Sequence, residues 1–170
     1  ETPEKIATDS TQERKNMGKK GQSDADEAKP NEVRKSDLAN YFQKTLEFSE
    51  NQAKELAGST IDTGLKYTFT IAELETPAFF TVKPKGGVIV ITLNTSHAAY
   101  KNLVEVLEEE NSEDVSELKS RLIRARDGIK LLLSAWARYE DEQPDGKHKE
   151  NAQDARNDWG KIAKDFLKSN

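Results

Sequence analysis

Phe79-Phe-Thr-Val-Lys-Pro-Lys-Gly-Gly-Val-Ile-Val-Ile-Thr-Leu93 is the stretch whose reading decides the fold. Its two ends are apolar and rich in β-branched residues. Its middle, Pro84-Lys-Gly-Gly87, supplies turn chemistry, because glycine tolerates positive φ. This pattern predicts a hairpin of strands 79–83 and 87–93. Val88-Ile-Val-Ile-Thr-Leu93 is apolar on both faces, so it belongs at the centre of a sheet or under cover on both sides. Just upstream, Lys66-Tyr-Thr-Phe-Thr-Ile-Ala72 alternates Tyr67, Phe69 and Ile71 with Thr68 and Thr70, the signature of a half-buried strand.

Outward from this core the period changes from two to about 3.6. Leu38, Phe42, Leu46, Ala53 and Leu56 make an apolar stripe, widened by Tyr41 and Phe48. It predicts one helix from a cap at Ser36 or Asp37 to about Ala57, ended by Gly58. After the hairpin, Asn94, Thr95 or Ser96 caps a helix carrying Tyr100, Leu103, Val106 and Leu107 to about Glu110. From Asn111-Ser112 a longer helix follows. Its residues Val115, Leu118, Leu122, Ala125, Ile129, Leu132, Trp136 and Tyr139 alternate steps of three and four. Asp141 to Gly146, with Pro144, interrupts it. A last helix over Lys147–Lys168 repeats the spacing through Ala152, Ala155, Trp159, Ile162 and Phe166. The short connection makes these two helices antiparallel neighbours. Gly128 and Gly160, each costing about 1 kcal/mol inside a helix, suggest close helix approach beside Trp136 and Trp159. The three–four pattern also suits an intermolecular coiled coil. An intrachain hairpin packed on the sheet is the preferred reading, with part of the pattern available to a partner. The expected fold class is α+β: a small, mainly antiparallel sheet of three or more strands against about four helices, with a C-terminal helical hairpin.

Composition sets the limits. The chain has 170 residues, 26 basic and 31 acidic, and a hydrophobic share of 34%, low against a typical ~45–50%. Residues 1–36 account for much of that dilution. They hold no aromatic residue, eight basic and eight acidic residues, and Gly18, Gly21 and Pro30. Such a segment buries too little surface to offset its ordering entropy. It therefore reads as a flexible polar arm or linker that admits a short helix at Pro3–Asn16, with a single α+β domain over 37–170. The absence of cysteine excludes disulfides, thiolate metal sites and a cysteine nucleophile. Two histidines argue against a His-rich metal site. The acidic balance argues against nucleic acid as the primary partner, and no apolar run approaches the ~18 residues of a membrane span. The start, Glu-Thr-Pro-Glu-Lys, lacks Met and any signal-peptide pattern, so a cytoplasmic piece of a larger protein is expected.

Several constellations are candidates for chemistry. Asn94-Thr-Ser-His97-Ala-Ala-Tyr100 lies where a central strand hands over to a helix, a place where ligands and anions often bind. Asn94, His97 and Tyr100 are candidate ligand or interface residues, against a reading in which they cap the helix and pack on the sheet. His97 and His148 fall on separate elements with no assignable nucleophile. Glu105, Glu108, Glu109, Glu110, Glu113, Asp114 and Glu117 form an acidic cluster that suggests a divalent cation or an acid–base pair. No glycine-bearing calcium loop accompanies it, and a solvated helix face is preferred. Lys119, Arg121, Arg124, Arg126 and Lys130 follow the acids and suit intramolecular pairing. Lys83–Gly87 precedes a strand, so it is a turn rather than a phosphate loop. Tyr139–Gly146 is an interhelix loop without metal-loop spacing.

The run from Phe79 through Leu93 to Asn94-Thr-Ser-His97-Ala-Ala-Tyr100 resembles a segment of bacterial GHKL-type ATP-binding proteins, the class of gyrase B, heat-shock chaperones, histidine kinases and MutL. There, beyond the ATPase module, a hairpin leads to an L-N-T-x-H-P-x-Y run and then to Trp-containing helices. Asn94, His97 and Tyr100 match that run, and Ala98 stands where it usually has Pro. Leu131-Leu-Leu-Ser-Ala-Trp136-Ala-Arg-Tyr-Glu140 and Asp154-Ala-Arg-Asn-Asp-Trp159 are also similar. The resemblance covers roughly 65–170. The Asn/Glu-bearing helix, the D-x-G-x-G and the Gly-rich lid of GHKL catalysis do not occur in the chain, so the resemblance implies the non-catalytic region beyond the ATPase. It also implies a role in coupling nucleotide state to dimerisation or a partner, in a class of which some members serve bacterial stress or antiviral defence.

The functional expectation is a coupling or interaction domain, not an enzyme, with no cofactor and no metal, binding itself or the rest of its parent. Trp136 and Trp159 are candidate interface residues. The alternative is an autonomous small-ligand or anion-binding module at Asn94–Tyr100.

Overall fold

The computed structural model describes residues 2–105, 108 and 115–168, with side chains described at all of these except 102, 103, 117, 121, 124 and 162–168. Three strands, β1 (Tyr67–Ala72), β2 (Phe80–Lys85) and β3 (Val88–Asn94), form one sheet in the order β1-β3-β2. β2 and β3 are the expected antiparallel hairpin, with Val82 opposite Ile91. Gly86 and Gly87 close it at φ values of 58° and 78°, the pair of positive values that a tight two-residue hairpin turn requires. β1 joins the other side of β3 in parallel, with Phe69 opposite Ile91. Residues 73–79 carry the chain back past β3 before β2 begins.

Every residue of β3 is buried, and the architecture explains its two-sided apolar character. Ile89, Ile91 and Leu93 join Tyr67, Phe80, Ala7, Leu133 and Ala137 in one core. Val88 and Val90 join Leu38, Phe42, Ala57 and Ile61 in the other. Helices therefore cover both faces of the sheet. Each such aliphatic side chain contributes about 2 kcal/mol on burial. The α+β architecture read from the sequence is observed.

The helix expected over 36–57 is two helices, α2 (Asn31–Thr45) and α3 (Glu50–Asp62). The break has a local cause. Glu47 adopts φ 59°. Ser49 then caps α3, accepting from the Gln52 N–H while Gln52 reaches back to the Ser49 N–H, a reciprocal capping box. Phe48 stacks on Phe42, with centroids 5.4 Å apart, which folds α3 against α2. Gly58 lies inside α3 rather than ending a helix.

Residues 1–36, expected as a flexible arm, are corrected more substantially. α1 (Pro3–Asn16) and a 3₁₀ helix (Gln22–Ala28) occupy this region, and α2 starts at Asn31. Ala7 and Thr11 are buried against the domain, and the Thr11 hydroxyl hydrogen-bonds to the Tyr67 hydroxyl at 2.8 Å. The segment is poor in apolar residues, as its composition says. Its order comes from charge pairing with distant residues, described below.

At the C-terminal end, α4 (Ser116–Asp141) and α5 (Lys147–Lys168) are joined by residues 142–146. Residues 111–114, where the sequence places the start of the long helix, lie outside the described residues. Gly160 is indeed at a close approach, but to the loop before β2: a Cβ there would sit 2.9 Å from the Pro77 carbonyl oxygen. Gly128 faces open space, so the expected helix–helix approach is not its use. Among the described residues no helix is long and apolar enough to cross a membrane.

Candidate functional site

Asn94 ends the central strand and is 1% exposed. Its amide nitrogen donates to the carbonyls of Thr76 and Ala78, each at 3.0 Å. Its amide oxygen accepts from the N–H groups of Leu74 and Ser96, each at 3.1 Å. One side chain thus pins the returning loop 73–79 and the turn after β3 together, and its hydrogen-bonding capacity is fully used. Asn94 serves the Ser96 N–H of the turn rather than the helix itself. That role passes to His97, whose Nδ1 accepts from the Ala99 N–H at 3.0 Å. An amide can only donate, so Nδ1 is unprotonated and Nε2 carries the hydrogen, which points at the Gly160 carbonyl oxygen 2.8 Å away. The ring is 3% exposed and leans on Phe79, with centroids 5.5 Å apart. Past His97 the chain continues as a π-helical turn, Tyr100–Glu105, where the sequence suggests an ordinary helix.

The structure brings Asn94 and His97 together as fasteners, one closing the loop and the other docking α5. Tyr100 is half-buried against the first core. Neither Asn94 nor His97 keeps a free polar atom for a ligand. Trp159 is close to this junction: it meets Phe80 edge-on at 6.3 Å and remains 48% exposed. Trp136 lies elsewhere, on α4. Its Nε1 donates to Glu140 at 2.9 Å, and Glu140 faces Arg156 of α5 at 3.3 Å. Burial pushes the Arg156 guanidinium below its ordinary pKa, and Glu140 only partly opposes this.

The acidic cluster is largely beyond description. Glu109, Glu110, Glu113 and Asp114 lie outside the described residues, as does the side chain of Glu117. Among the described residues no group of three or more metal-ligating side chains converges. Of the basic run, Arg126 pairs with Asp127 at 3.5 Å and the Lys130 ammonium sits 5.4 Å over the Phe69 ring. The side chains of Arg121 and Arg124 are not described.

Two features escaped the sequence reading. The first is a buried ionic network that ties residues 14–27 to α4 and β1. Arg138, with a side chain 3% exposed, donates to both oxygens of Asp24, at 3.1 and 3.0 Å, and to the Lys19 carbonyl at 2.7 Å. It also donates to Asp141 at 3.0 Å. Asp141 in turn accepts from the N–H and hydroxyl of Ser23 at 3.0 and 2.7 Å. Lys66 reaches Asp24 at 2.9 Å and Glu27 at 2.6 Å, and Lys15 reaches Glu27 at 2.7 Å. Arg14 grips Glu142. Burial alone would raise the Asp24 carboxyl. The hydrogen bonds from Arg138, Lys66 and the Gly21 N–H outweigh it and hold the group well below the usual carboxylate range. Glu27 is lowered by the same balance of burial against Lys15 and Lys66. Gly21 sits close against this network, where a Cβ would fall 1.8 Å from the Asp141 carboxylate and force it to shift.

The second is how α4 divides its three–four pattern. Ile129 and Trp136 pack against the first core, and they and Leu122 are half-buried. Leu118, Leu132 and Tyr139, seven residues apart in multiples, are 49%, 71% and 50% exposed. Ala125, between them, is exposed as well. Half of the seam packs inward and half faces out.

No protein-family model, curated protein or solved structure matches the chain.

Proposed function

We propose that this chain is a non-catalytic interaction domain, and that the outward half of the α4 seam is its contact surface. The observation that carries this reading is the stripe Leu118, Ala125, Leu132 and Tyr139. Scattered exposed apolar residues are ordinary. A straight row with a seven-residue repeat along six turns of one helix is the pattern that packs against another helix. Asn94 and His97 support the same reading from the other side, since their side-chain polar atoms are spent on internal bonds.

The parent we propose is a GHKL-type ATP-binding protein, with this domain following its ATPase module. That part rests on the resemblance of 79–100, 131–140 and 154–159. Its test is the encoding reading frame: a D-x-G-x-G and a Gly-rich lid upstream are expected, and a frame without them contradicts the assignment. At the bench, Mg-ATP should leave the melting temperature of the isolated chain unchanged. A concentration-dependent rise, of the size set by ligand over Kd, would contradict the non-catalytic reading.

A further inference from the structure

A groove of about 460 Å³ runs between α1 and α4, within the size range of small-molecule sites, about 300–1,000 Å³. Its walls are apolar: Ile6 and Ala7 of α1, with Leu131, Ala135 and Tyr139 of α4. Ala135 and Tyr139 are exposed, so the groove is open to solvent. Thr11 and Tyr67 also line it, at 4% and 1% exposure. Their hydroxyls meet at 2.8 Å, and either can donate. Each hydroxyl carries a single hydrogen, so whichever donates, the hydrogen of the other is left over. Neither hydroxyl has a further hydrogen-bond partner among the described residues. Burial pushes the Tyr67 hydroxyl up to about 12, so its hydrogen stays in place at neutral pH. The groove thus combines apolar walls with one buried donor that lacks an acceptor.

Charge decides which acceptor fits. Arg14 and Arg138 border the groove, but both are already paired within the chain, with Glu142, Asp24 and Asp141. Their network balances, Arg14, Lys15, Lys66 and Arg138 against Asp24, Glu27, Asp141 and Glu142. A carboxylate in the groove would add an uncompensated charge against apolar walls. A carbonyl oxygen accepts the same hydrogen without that cost.

We propose that the α1–α4 groove binds a small neutral molecule with an apolar body and one carbonyl oxygen, which accepts the hydrogen that Thr11 and Tyr67 cannot place between them. This goes beyond the interaction-domain reading and does not depend on it. Cyclohexanone, with cyclohexanecarboxylate as its charged counterpart, is titrated into the full chain and followed by amide NMR shifts. Saturable shifts centred on Thr11, Tyr67 and Ala135 are expected with cyclohexanone, and binding at least about tenfold weaker with the carboxylate. Thr11→Val combined with Tyr67→Phe removes both hydroxyls and keeps their shapes. It should weaken cyclohexanone binding up to about tenfold, the worth of one hydrogen bond. Ala135→Trp fills the groove from an exposed position without touching the hydroxyls. It should abolish the shifts, whether or not the double variant folds. A wild type without saturable shifts, or undiminished binding by the folded double variant or by Ala135→Trp, would overturn the site. Equal binding of the carboxylate would overturn the neutral ligand class.

Discussion

Asn94 shows how much a single side chain can hold. Its four hydrogen bonds join three backbone segments in a buried site. Asn94→Ala leaves two carbonyls and two N–H groups to find new partners, at a cost of about 2–4 kcal/mol. Asn94→Asp keeps the shape but points a carboxylate at the Thr76 and Ala78 carbonyls. It should destabilise strongly at pH 7 and recover part of the loss near pH 4, where the protonated acid donates again. Chemical denaturation at both pH values checks this, and equal losses would contradict the donor role. Gly21→Ala should cost about 1–3 kcal/mol by overpacking against Asp141. Alanine at the open Gly128 should stabilise α4 by about 1 kcal/mol.

Residues 14–27, strapped to the domain by the ionic network, carry carboxylates whose titration has a definite sign. Asp24 and Glu27 sit below their ordinary values of 3.8 and 4.5 in the fold. Their stabilisation is therefore complete above those values and lost as pH falls through and below them. Melting temperature should hold from pH 7 to about 5 and drop below about 4.5. Asp24→Asn, with no charge to lose, should show the shallower acid limb. An identical limb would place the acid sensitivity elsewhere.

At the scale of elements, what was legible in the sequence depended on local signals. The Gly86-Gly87 turn, the two-sided apolar run of β3 and the span Lys147–Lys168 all carry their cause within a few residues, and each is found as read. The break between α2 and α3 had a signal too: Ser49 followed by Gln52. It was hidden by an apolar stripe that continues in register across the break. The parallel placement of β1 had none, since either direction buries the same face of Tyr67 and Phe69. The division of α4 was invisible for a related reason. A seam of steps three and four looks the same whether one side or both are covered, and only the position of the sheet decides. Leu132→Glu should therefore leave folding stability within about 0.5 kcal/mol, as for other exposed positions. Leu133→Glu, one residue on and 5% exposed, should unfold the domain.

For the whole molecule, the N-terminal segment was the largest departure. Its eight basic and eight acidic residues looked like a solvated linker. Asp24 finds Arg138 114 residues away, Arg14 finds Glu142 128 away and Glu27 finds Lys66 39 away, so no short window of sequence could show them. The strap is held by charge where the sheet is held by apolar burial. Arg138→Met removes the central cation and leaves Asp24 and Asp141 buried without it. Breaking a buried network this way costs about 3–5 kcal/mol, and the loss should appear first as faster hydrogen exchange in α1 and the 3₁₀ helix. Uniform exchange across the sheet and the strap alike would contradict an ionic latch.

The interaction surface is a property of the assembled molecule, because the strap, the sheet and α5 together determine which side of α4 is left open. Sedimentation equilibrium of the wild type against Leu132→Glu tests this most directly. A weight-average mass that rises from 19.1 kDa towards twice that value with concentration is expected in the wild type. The variant should stay at the single-chain mass with an unchanged melting temperature. A wild type and variant that sediment alike, whether both single or both paired, would contradict it.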